Sequence, residues 1–147
     1  MSVNQEFFHI VFATKGRKNS IVPAHKRSLY NILFTLLKDM NCDILRINGM
    51  EEHVHIFVNK SPRISTEDMM RVLKAKSSKW MKTCGLFPQF DGWCREYYCV
   101  SKSESDKQTV IDYITNQEKH HASTGFRDEM VWLHSRNNLR WYEGNYM

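Results

Sequence analysis

Four short runs rich in β-branched and aromatic residues alternate with two long stretches of helical apolar spacing, in the order strand, helix, strand, strand, helix, strand. That order constrains the fold more than any other feature, because few topologies pack two such helices on one antiparallel sheet. The first run, Glu6 to Ala13, puts Phe8, Ile10 and Phe12 on one face and Phe7, His9 and Val11 on the other. Pro23 suits a first helical turn. Leu29, Ile32, Leu33, Leu36, Leu37 and Met40 then predict an amphipathic helix from about 24 to 40. Asp43 to Gly49 is a second strand, and the tight connection Met50 to Glu52 turns it antiparallel into a third, 53 to 59. Ser65-Thr66-Glu67-Asp68 resembles a capping box and opens a helix from about 66 to 83. Trp93 to Ser101 is the fourth strand.

The plan is β-α-β-β-α-β, so the expected fold class is α+β: a ferredoxin-like (RRM-like) antiparallel sheet with helices on one face. A third helix is added, from about 105 to 121, opened by the capping-box pattern Ser105-Asp106-Lys107-Gln108. Phe126 to Asn138 suggests a short helix before an aromatic tail with Trp141, Tyr142 and Tyr146. A length of 147 residues suits one domain, 1–147. Apolar content of 41% and charged content of 25% exclude disorder over most of that length. Four cysteines lack metal-site spacing and suit idle thiols in a reducing cytosol. No signal peptide or membrane-length apolar run is visible, so a cytoplasmic location is expected.

His53-Val54-His55 falls inside the third strand. Residues two apart share a face, so the two imidazoles stand together while Val54, Ile56 and Val58 face the core. In this topology the third strand is central, and the pair is expected on the open face of the sheet. Two neutral imidazoles on a rigid strand make half of a divalent-metal site. Alone, the same pattern also suits a turn cap beside a surface histidine.

The formal net charge of +5 permits a polyanionic partner. Lys15, Arg17 and Lys18 surround Gly16 in the loop after the first strand, and Arg71, Lys74, Lys76, Lys79 and Lys82 crowd the second helix. Such a face either stays solvated or contacts phosphates. Tyr113 and Gln117, four apart, share a face of the third helix, with His120 and His121 further along the same side. By itself Tyr113 suits a half-buried core aromatic. Joined to the histidine pair, it is a candidate nucleophile, because a metal can stabilise charge on a phosphate under attack. Two histidines and the hard carbonyl oxygen of Gln117 would leave positions open on Mg²⁺ or Mn²⁺.

Taken together, these features resemble the single-tyrosine HUH transposases of the IS200-like kind, which include the REP-associated tyrosine transposases. The resemblance covers roughly residues 7 to 130. It rests on His9-Ile10-Val11-Phe12, His53-Val54-His55, Leu73-Lys74-Ala75-Lys76-Ser77-Ser78, Trp93 through Tyr97-Tyr98 to Ser101, and Tyr113 to His121. One departure is Ala75, where the family often has glycine.

The resemblance implies that His53, His55 and Gln117 hold the metal, Mg²⁺ or Mn²⁺. It implies that Tyr113 attacks a phosphodiester of single-stranded DNA, leaving a 5′-phosphotyrosine and a free 3′-hydroxyl that later rejoins. It further implies recognition of a DNA hairpin and a homodimer in many members, with monomers in the REP-associated branch. Among the basic residues, Arg17, Lys18, Lys74, Lys76 and Lys79 are the candidate phosphate contacts. Other readings of the same residues are a non-catalytic nucleic-acid-binding module, a metal-dependent hydrolase using water, and a domesticated transposase with a host role.

Overall fold

Both faces of the sheet carry buried apolar side chains, and the second face carries three buried histidines as well, His9, His53 and His55. The computed structural model describes residues Met1–Met147. Its strands are β1 (Phe7–Thr14), β2 (Asp43–Met50), β3 (His53–Asn59) and β4 (Trp93–Lys102). They form one antiparallel sheet in the order β2-β3-β1-β4, as the ferredoxin-like plan requires. The helices α1 (Lys26–Asp39) and α2 (Thr66–Thr83) cover one face.

That first layer follows from local sequence. Leu29, Leu33 and Leu37, spaced at four, are fully buried against Ile10, Phe12, Val54, Ile56 and Val58. Each such leucine contributes about 1.5–3 kcal/mol by leaving water. The Ser65 side chain accepts a hydrogen bond from the Asp68 amide at 3.0 Å and starts α2 where the capping pattern placed it. Pro23 opens a 3-10 turn, Pro23–His25, one turn ahead of the regular helix.

Beyond β4 the expected continuous helix is broken. A 3-10 turn, Glu104–Asp106, leads into α3 (Lys107–Thr115), which stops at Asn116 before α4 (Gln117–His121) begins. The cap is Ser103 with Asp106, two residues ahead of the Ser105 pattern. The break has a tertiary cause. Asn48 of β2 donates from Nδ2 to the carbonyls of Ile114 and Thr115, at 3.0 and 3.2 Å. Carbonyls captured this way are satisfied outside the helix, so the ladder can end there.

Another expectation is overturned: the histidine pair does not stand on an open face. Phe7, Val11, Ala13, Phe57 and Tyr98 line that side of the sheet and must be covered. α5 (Phe126–Arg136) covers it with Phe126, Met130 and Leu133, while Val110 and Ile114 of α3 pack on Phe7 and Phe57. His53 and His55 are completely buried as a result.

The β2–β3 connection leaves no room at Gly49. A Cβ there would lie 2.2 Å from the His53 carbonyl oxygen and 2.9 Å from the Val54 Cα. Both atoms are backbone of the paired strand and cannot swing away. Gly49→Ala is therefore expected to destabilise the fold by about 1–3 kcal/mol or more, read as a shifted urea midpoint. An unshifted midpoint would mean that the hairpin yields freely.

Candidate active site

The strand register assembles the site floor. His55 pairs with Val11 and His53 with Ala13, and Tyr98 lies beyond Val11 on β4. Each ring is held at Nδ1 by a neighbour: His53 by Glu52 Oε1 at 2.6 Å, and His55 by His9 Nε2 at 2.8 Å. Their Nε2 atoms consequently point to a common centre. Outer partners of this kind fix ring orientation in metal sites.

Three helices close over that centre. Gln117, the first residue of α4, is fully buried, with Oε1 at 3.0 Å from His53 Nε2. Tyr113 arrives from α3, its ring 5.8 Å from that of His55 and stacked on Trp132 of α5. Glu129, also from α5, occupies the middle. It accepts hydrogen bonds from the Tyr113 hydroxyl, from Gln117 Nε2 at 2.8 Å and from His121 Nε2 at 2.8 Å. His53 and His55 each approach it to 3.3 Å.

The electrostatics follow from burial opposed by pairing. Burial disfavours the charged form of His53, but Glu129 and Glu52 outweigh it and raise its pKa to about 9. Burial dominates at His55 and lowers its pKa to about 4, so that ring is neutral. Glu129 resists burial because His55, His121 and His53 hold it ionised well below the usual carboxylate range. Burial, then the charge of Glu129, pushes the Tyr113 hydroxyl above its ordinary value.

The residues fit a divalent cation. Two imidazole nitrogens and an amide oxygen converge, both rings are oriented from behind, and His53, His55 and Glu129 offer donor atoms all within 4.8 Å of one another. The expected set His53, His55, Gln117 and Tyr113 is thus brought together in one chain. Glu129, His9 and Glu52 went unrecognised as site residues. His9 was visible in the sequence, alternating with Val11 on the face that His55 shares, whereas Glu129 had no spacing to mark it.

The basic residues divide. Lys74 lies in a cleft of about 670 Å³ with Lys15, Lys82 and Arg95. There its Nζ donates to the Arg95 carbonyl at 2.7 Å. Lys76 and Lys79 are exposed on α2 and are not among the residues lining that cleft. Lys18 is exposed, 4.0 Å from Asp91. Arg17 is held by the carbonyls of Asn145 and Tyr146 and lies over the Phe126 ring. All four cysteines are free thiols, and no helix is long and apolar enough to cross a membrane.

Comparison with known proteins gives a consistent result. A family model described as IS200-like transposase matches residues 2–117. The transposase of insertion element IS200 from Salmonella typhimurium is 31% identical over 120 residues, covering 75% of each chain. The ISDra2 transposase TnpA of Deinococcus radiodurans is 23% identical over 122 residues, covering 78% of this chain and 86% of that one. Among solved structures, a Deinococcus radiodurans chain described as a transposase superposes with a TM-score of 0.63 at 24% identity, covering 79% of this chain and 93% of its own. A REP-associated tyrosine transposase bound to a REP hairpin superposes with a TM-score of 0.62 at 14% identity, covering 84% and 73%. These two likenesses establish the shared fold.

Proposed function

The chain belongs to the family of IS200-like transposases, and from that premise we propose that it cuts and rejoins single-stranded DNA through a covalent bond to Tyr113. One observation carries the reading. The Tyr113 hydroxyl meets Glu129, whose carboxylate also touches His53 and His55, all in a single chain. A candidate nucleophile and a candidate metal site are therefore adjacent. His53, His55 and Gln117 would hold the cation, Mg²⁺ or Mn²⁺. A bound cation supplies Lewis-acid stabilisation of the charge that develops on the phosphate oxygens.

The protein's own residues do the rest. The Tyr113 oxygen forms a bond to phosphorus while the bond from phosphorus to the 3′-oxygen breaks. The tyrosine proton leaves, and the 3′-oxygen takes one up. The products are a 5′-phosphotyrosine and a free 3′-hydroxyl, and the reverse attack rejoins DNA without ATP. At an ordinary pKa of 10, a tyrosine is phenolate only to about 1 part in 1,000 at pH 7. Tyr113 is shifted further up, so its proton departs as the new bond forms, with Glu129 the acceptor already in place. Trp132 stacked on the ring limits how the oxygen can swing.

In this reading the tyrosine serves the histidine pair of its own chain. The homodimer implied by the family resemblance is not needed to complete the site. The DNA partner would be single-stranded with a hairpin, met in the cytoplasm, and the domain would be the whole of 1–147.

The test is incubation of the full chain with single-stranded DNA hairpins and Mg²⁺ or Mn²⁺, followed by a denaturing gel. A protein–DNA adduct at the 5′ side of the cut is expected. Cut DNA without an adduct would point to a hydrolase, and binding without cutting to a recognition module.

Binding should also weaken steeply with salt. Lys74→Ala or Lys82→Ala is expected to lower affinity for every sequence alike and reduce the salt slope by about 1. The cut position should not change. An unaltered slope in both variants would move the DNA path away from the α2 cleft.

A further inference from the structure

α5 lies outside the 2–117 stretch that the family model matches, yet it sends a carboxylate into the centre of the site. Glu129 is fully buried, and its side-chain partners all come from other elements: His53 and His55 of β3, Tyr113 of α3, and Gln117, His120 and His121 of α4. A carboxylate recruited only to hold the tyrosine has no need to approach both histidines at their inward nitrogens.

The spacings carry the argument. Ligand atoms about 2.1 Å from one ion lie about 3.0 Å apart along an octahedral edge and about 3.4 Å apart along a tetrahedral one. His53 Nε2 is 3.0 Å from Gln117 Oε1 and 3.3 Å from Glu129, and His55 Nε2 is 3.3 Å from Glu129. All three separations fall inside that window. Gln117 also points the right way, with its oxygen toward His53 and its amino group toward Glu129. A small displacement of side chains would let one ion sit among all four.

We propose that Glu129 is a fourth protein ligand of the cation held by His53, His55 and Gln117, and that the centre selects Mn²⁺ or Co²⁺ over Mg²⁺. The proposal rests on the metal reading given above. The selectivity follows from the donor set. Two imidazoles suit borderline transition metals, whereas Mg²⁺ favours oxygen donors and gives up its water reluctantly. The carboxylate adds a charge that tightens binding of any divalent ion, so the nitrogen pair sets the preference and Glu129 sets the strength.

The full chain is titrated with Mn²⁺, Co²⁺ and Mg²⁺ by calorimetry, with the Co²⁺ visible spectrum recorded in parallel. Wild type, Glu129→Gln and His53→Ala are compared. Glu129→Gln keeps the shape and can still accept a hydrogen bond from Tyr113. It is expected to weaken Mn²⁺ binding about 10–100-fold or more and to shift the Co²⁺ bands. Wild type is expected to bind Mn²⁺ more tightly than Mg²⁺. If Glu129→Gln binds Mn²⁺ and Co²⁺ as wild type does while His53→Ala does not, the Glu129 ligand falls and the histidine site stands. If wild type binds none of the three ions, both fall together. Equal affinity for Mn²⁺ and Mg²⁺ overturns the selectivity. Should Glu129→Gln not fold, a crystal structure of Mn²⁺-soaked wild type decides: a Glu129 oxygen about 2.2 Å from the ion supports the proposal, and one beyond about 3 Å overturns it.

Discussion

Tyr113→Phe is expected to form no covalent adduct and to cut no DNA, with a loss of at least about 10⁴-fold, while binding hairpins almost as well as wild type. The substitution removes one oxygen and keeps the ring that stacks on Trp132 and faces His55. Removing the nucleophile of a covalent mechanism leaves only what positioning and electrostatics supply. The change does have a structural cost. Glu129 loses the Tyr113 hydroxyl but retains Gln117 and His121. A hydrogen bond to a charged acceptor contributes about 1.5–3 kcal/mol, so a measurable drop in stability is expected with the fold kept. The check is peptide sequencing of the trapped wild-type adduct by mass spectrometry, beside a denaturing gel of the variant. An adduct on Tyr97 or Tyr98, or one that persists in Tyr113→Phe, would sink the assignment.

His53→Ala should remove both metal binding and cleavage, and also strip about 3–5 kcal/mol from the stability of the metal-free chain. A histidine pair on an open sheet face, as the strand pattern predicts, would tolerate this substitution with the fold intact. Burial reverses the expectation. His53 lies between two carboxylates, Glu52 at 2.6 Å and Glu129 at 3.3 Å, with the Phe126 ring stacked on it at 4.4 Å. Deleting one partner of a buried ion pair leaves the other charge without compensation. His55→Ala should abolish cleavage equally but cost less stability, about 1–3 kcal/mol, because burial keeps that ring neutral. Urea denaturation in chelator, alongside a cleavage assay with Mn²⁺, measures both quantities. Equal stability losses would mean that the two rings carry the same charge. Cleavage by His53→Ala at the wild-type rate would remove the metal role from this residue.

Much of this site was legible because its residues obey short periods. The strand alternation alone sets His53 and His55 on one face and Val54, Ile56 and Val58 on the other, as the cores around them confirm. Spacing of four brings Tyr113 and Gln117 to one side, and both reach Glu129 although the helix between them breaks. The Ser65 cap and the order of strands are equally local, resting on turn chemistry and apolar pattern.

What lies over a face is a different kind of information. Glu129 sits twelve residues beyond Gln117 on another helix, and nothing in the sequence around it marks it as a site residue. It becomes one only because α5 folds back over Val11, Ala13 and Tyr98. The break at Asn116 depends on Asn48, more than sixty residues earlier, capturing two carbonyls. Arg17 reads locally as one cation of a basic loop, and only the fold shows that its guanidinium reaches the backbone carbonyls of Asn145 and Tyr146. Local patterns determine which way a side chain points, since they follow from backbone geometry. Tertiary structure decides what it meets there, because that depends on which distant apolar surfaces must be removed from water.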